Sequence, residues 1–163
     1  MIEKIKQLKK INLAQMILSG IFITFSFIYI IAFLVFVINY MNRIPLVEDM
    51  NYSAGYEERV QAYIRNCWIF VGVGTTFAFL LGIPILVLMI VSLVKFSSIT
   101  GEVKSRFADN PSNELLNKIN QSTTLIYVFI ILGYLINGLF IIMYYIGVVR
   151  MNKILDEIEK AYN

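Results

Sequence analysis

The chain contains no histidine and one cysteine, Cys67. Without histidine, Ser–His and Cys–His nucleophilic dyads are impossible, and the common zinc and haem ligand patterns have nothing to work with. One cysteine cannot form an intrachain disulfide, so Cys67 beside Trp68 reads as a packing residue at a membrane interface. The scarcity that decides the class is of charge. Charged residues make up 15% of 163 and hydrophobic ones 58%, with a mean hydropathy of +0.72. An ordinary soluble domain carries about 25% charge.

The missing charge is concentrated in three blocks. No Asp, Glu, Lys or Arg lies between Lys10 and Arg43, between Arg65 and Lys95, or between Lys118 and Arg150. Each gap exceeds the roughly 20 apolar residues that cross a bilayer core of about 30 Å. The expected fold is therefore all-α: one integral membrane bundle over residues 1–163, with three transmembrane helices and helical extensions outside the bilayer. The spans fall at about 13–40, 67–94 and 125–149, with connections at 41–66 and 95–124 and a helical tail at 150–163. The first block is too long for a signal-peptide core and has no A-x-A-like site after it, so it reads as an uncleaved anchor.

Three spans place the two ends of the chain on opposite sides. With residues 1–12 in the cytoplasm, the inner segments hold eight Lys and Arg and the outer ones six. That lean favours a cytoplasmic N-terminus and an outer C-terminus in a plasma membrane. Tyr40, Trp68, Tyr144 and Tyr145 then form an aromatic belt at the outer headgroups.

The connecting segments also carry helical patterns. In "MIEKIKQLKKINLAQ" Ile2, Ile5, Leu8 and Asn12 share a face, with Lys4, Lys6, Lys9 and Lys10 around it. This predicts a basic amphipathic helix against anionic lipid, or a plain positive flank to the first span. The second helix is expected to begin near Tyr56, with Glu57 and Glu58 at its positive end. Asn110-Pro111 predicts the cap and first turn of the third helix. Leu115, Leu116 and Ile119 would then form an apolar stripe that either packs on the tail of the second helix around Val103 and Phe107 or binds a cytoplasmic partner. Ile154, Leu155, Ile158 and Tyr162 form a stripe on the C-terminal helix, to dock on the first connection or on a partner.

Inside the spans the notable residues are small or polar. Gly74, Ala78 and Gly82, spaced by four, make a small-xxx-small face for close helix packing. Pro84 predicts a kink or a loosened turn. Asn137 sits mid-block between Gly133 and Gly138. The central window Tyr127–Ile146 holds twelve Leu, Ile, Val or Phe residues, enough to carry one amide into the membrane. The amide still needs hydrogen-bond partners there, so Asn137 is expected to bond to another helix.

These features select among functions. No ionisable group lies within the spans, which disfavours proton relays and carriers of charged solutes. No P-loop, GxGxxG or Cys-pair motif points to a cofactor or metal, and no enzyme is expected. A net charge of +3 with mixed signs makes no case for nucleic acid. The leading expectation is a non-enzymatic membrane protein that binds another membrane protein through helix contacts. Accessory subunits and toxin-immunity proteins are of this size and kind. The alternative is a homo-oligomeric channel or carrier of uncharged solutes, lined by Ser26, Thr75, Thr76 and Asn137. A third is a membrane-shaping protein acting through its basic N-terminal helix. Abundant isoleucine and asparagine point to an AT-rich, bacterial genome.

Overall fold

A computed structural model of the chain describes residues 1–41, 56–108, 113–135 and 141–162, without the side chains of 41, 56 and 141. Four helices account for almost all of them: α1 (Ile2–Met41), α2 (Tyr56–Arg106), α3 (Glu114–Leu135) and α4 (Ile141–Tyr162). No strand occurs among the described residues. The protein is an all-α membrane bundle. Three of its helices are long and apolar enough to cross a bilayer, at Ile2–Tyr40, Glu57–Arg106 and Glu114–Leu135.

α1 and α2 have 40 and 51 residues. At 1.5 Å per residue they run about 60 and 76 Å, twice or more the thickness of the hydrocarbon core. Each therefore joins an apolar span to a helical extension. α2 begins at Tyr56, the expected position, with Glu57 and Glu58 in its first turn. The helix continues through Pro84. α3 is capped by Asn113, whose Oδ1 accepts the backbone N–H of Leu115 at 2.9 Å. The cap expected at Asn110-Pro111 lies outside the described residues.

The third apolar block departs from the expectation of one span at 125–149 followed by a tail. It is divided between α3 and α4, which pack against each other in opposite directions. A Cβ on Gly133 would lie 2.7 Å from the Cα of Tyr144, and one on Gly147 would lie 2.7 Å from Cγ1 of Ile130. In one continuous helix residues 133 and 144 would be about 16 Å apart. The physical reason is at the glycines, which let the backbones of α3 and α4 touch. Hydropathy registers apolar content alone, and an apolar hairpin has the same content as an apolar rod.

The chain divides into two compact units. The first comprises Met1–Leu18 and Ile85–Asn163, and the second Ser19–Pro84. The first unit thus gathers four helix segments. Ile5 and Leu8 of α1, Phe96 and Ile99 of α2, Ile119 and Ile126 of α3, and Leu155 and Ile158 of α4 are fully or almost fully buried in one cluster. Val103 and Ile119 are in the same cluster, with Phe107 and Leu115 packed against it.

The ends of the chain lie side by side in this unit. Lys9 is paired with Asp156 and Glu159, each at 2.5 Å. Residues 1–12 and 150–162 thus share one end of one unit. The reversal between α3 and α4 causes this. The aromatic belt is also divided, with Tyr144 and Tyr145 in the first unit and Tyr40 and Trp68 in the second.

Candidate functional site

The centre of the first unit is polar. Asn12 is fully buried on the apolar face of α1, one turn beyond Leu8. Its Nδ2 donates to Asn152 Oδ1 at 2.6 Å and lies 3.3 Å from the sulfur of Met151, both on α4. Its Oδ1 accepts the hydroxyl of Ser92 on α2 at 2.5 Å. One amide therefore ties three helix segments together, and Gln15 is buried one turn further along α1. Two tyrosines extend the polar contacts. Tyr145 donates to the carbonyl of Met16 at 3.1 Å, and Tyr127 donates to that of Leu93 at 3.3 Å. All of these groups are uncharged, and their hydrogen bonds fix the register of the helices. Among the described residues no group of three His, Cys, Asp or Glu could hold a metal ion.

The charged end of the same unit is held by ion pairs. Lys4 pairs with Glu102, and Lys118 with Glu114 and Glu157. Burial by itself would lower the pKa of Lys9, but the hydrogen bonds and negative charges of Asp156 and Glu159 outweigh it and raise the value above the ordinary one. Two of the four lysines expected at a lipid surface are thus engaged within the protein. Lys6 and Lys10 are exposed.

The second unit is a helix pair closed by aromatic rings. Phe25, Tyr29, Phe33, Phe36 and Tyr40 recur every three or four residues on α1. They meet Phe77, Phe70 and Tyr63, which recur every seven on α2. These spacings keep one stripe on one helix face. Residue numbers rise along α1 as they fall along α2, so the two segments are antiparallel. Gly74 makes room for Tyr29: a Cβ there would lie 2.7 Å from the phenol ring, whose hydroxyl donates to the carbonyl of Phe70.

The residues predicted to pack helices have separate fates. Gly74 meets its own chain, at Tyr29. Ala78 is exposed, and a Cβ on Gly82 would meet nothing within 4 Å. Gly133 is buried against Tyr144. Asn137 and Gly138 lie outside the described residues. On α2 the side turned away from Phe70, Gly74 and Phe77 exposes Gly72, Thr75 and Thr76. The Thr76 hydroxyl donates to the carbonyl of Gly72 at 2.8 Å.

Sequence reasoning placed Asn12 on the apolar face of α1 but gave it no role. The available signal was an amide at i+4 from Leu8 in an otherwise apolar stripe. No protein-family model, curated protein or solved structure matches the chain.

Proposed function

We propose that the chain is a non-enzymatic, multi-pass protein of a bacterial cell membrane that acts by binding another membrane protein, as an accessory subunit or a toxin-immunity factor does. The observation that carries this reading is the surface of the second unit. Its aromatic seam uses one side of each helix, and the other side of α2 presents Gly72, Thr75 and Thr76 among apolar residues. Lipid covers apolar side chains as well as protein does, so exposed Ile and Leu alone favour no partner. Exposed small residues are different. They allow backbone-to-backbone approach, where dispersion and interhelical hydrogen bonds drive association in a bilayer.

Extraction of native membranes in mild detergent tests the reading. One distinct membrane protein is expected to co-purify at constant stoichiometry. A leucine at position 72, which blocks close approach, should release it while the chain still inserts. Recovery of the chain alone as a defined oligomer would contradict the reading and favour a pore built from copies of this chain.

A further inference from the structure

The hairpin changes the membrane topology of the whole sequence. Lys118 precedes the third uncharged block and Glu157 follows it, yet Lys118 Nζ and Glu157 Oε1 are 3.7 Å apart. A block whose two flanks touch enters and leaves the bilayer on one side. The segment 1–12 is drawn to the same end by the pairing of Lys9 with Asp156 and Glu159. Lys4 with Glu102 brings the tail of α2 there as well.

Positive charge must then be counted again. The four lysines of segment 1–12, the four basic residues between 95 and 118, and Arg150, Lys153 and Lys160 all belong to this end. Eleven of the fourteen basic residues are thus on one side. The other three, Arg43, Arg59 and Arg65, flank the first connection. The earlier count of eight against six becomes eleven against three. Lys and Arg in short segments beside a span are retained on the cytoplasmic side, which makes this asymmetry decisive. The face also keeps cations in reserve: among the described residues, no carboxylate pairs with Lys6, Lys10, Lys153 or Lys160. Such uncompensated lysines suit a leaflet whose anionic headgroups attract basic juxtamembrane segments.

We infer that residues 1–12, 95–108, 113–120 and 150–162 together form the cytoplasmic face of the protein, against anionic headgroups, and that residues 56–66 lie on the far side.

Single cysteines in a Cys67→Ser background test this with a membrane-impermeant maleimide. Glu3→Cys, Asn120→Cys, Ala161→Cys and Gln61→Cys each alter an exposed residue. In intact cells or right-side-out vesicles, the cysteine at 61 should label. Those at 3, 120 and 161 should label after permeabilisation only. Labelling at 161 with protection at 3 would restore termini on opposite sides and overturn the inference. Labelling at 3, 120 and 161 with protection at 61 would overturn the assigned direction. Mixed labelling at every position would overturn a single topology. The agreement required between positions 3 and 120 guards against a result set by one perturbed terminus.

Discussion

At the scale of single residues, Asn12 has the largest consequence for the fold. A buried amide costs free energy unless it is bonded, and here it has one donor and two acceptor atoms around it. Asn12→Leu removes it and leaves the buried Ser92 hydroxyl without its oxygen acceptor and the half-buried Asn152 carbonyl without its donor. A loss of about 1–3 kcal/mol per orphaned group is expected. Ser92→Ala removes a donor without stranding a new one on α2 and should cost less. Thermal unfolding in detergent would rank the two, and equal midpoints for Asn12→Leu and the parent would refute the cluster's role. Lys9 adds a pH dependence. Its folded pKa is raised, so its pairing is complete below the ordinary lysine value of about 10.4 and is lost as pH climbs through the higher folded value. The contact between α1 and α4 should therefore loosen in strong alkali. Lys9→Gln should be weaker by about 0.2–1 kcal/mol at neutral pH, the range for a partly exposed ion pair. Its alkaline loss of stability should be smaller than the parent's. An identical pH profile for the two would count against the pairing.

At the scale of elements, the third apolar block is where sequence and structure part. The first two blocks were legible because a long uncharged run flanked by charge has one simple solution, a helix. The start of α2 at Tyr56 was legible from the acidic first turn. The third block was not, because the choice between a rod and a hairpin turns on contact between residues eleven or more apart. Gly133 and Gly147 carry that contact. The aromatic seam was legible in principle, since Tyr63, Phe70 and Phe77 are seven apart, but attention to small residues hid it. Gly74 then proved to be part of that seam. Gly133→Ala should separate α3 from α4 because the new methyl meets backbone, which cannot swing aside. The expected cost is about 1–3 kcal/mol, as for overpacking elsewhere. Gly101→Ala is the control: a Cβ there meets nothing within 4 Å. It should be neutral or stabilising by up to about 1 kcal/mol from helix propensity. Proteolytic release of the C-terminal segment in Gly133→Ala but not in Gly101→Ala would bear this out, and the reverse would sink it.

At the scale of the whole molecule, two compact units have different chemistry inside. The first is closed by a neutral hydrogen-bonded centre and a ring of ion pairs at its charged end. The second is closed by aromatic rings, with tyrosine hydroxyls bonded across it to backbone carbonyls, and leaves small residues of α2 facing outward. Charge counting along the sequence did not include the pairing of α3 with α4; under the inferred topology Arg150, Lys153 and Lys160 join the other eight basic residues on one side. The choice of partner binding over a pore rests on the outward side of α2. The most direct measurement is site-specific photo-crosslinking from position 76 in native membranes, with half-buried Leu81 on the seam side as the internal control. The account predicts one discrete adduct with a second polypeptide from position 76 and none from position 81. Adducts with lipid alone at position 76, or with another copy of this chain, would contradict it.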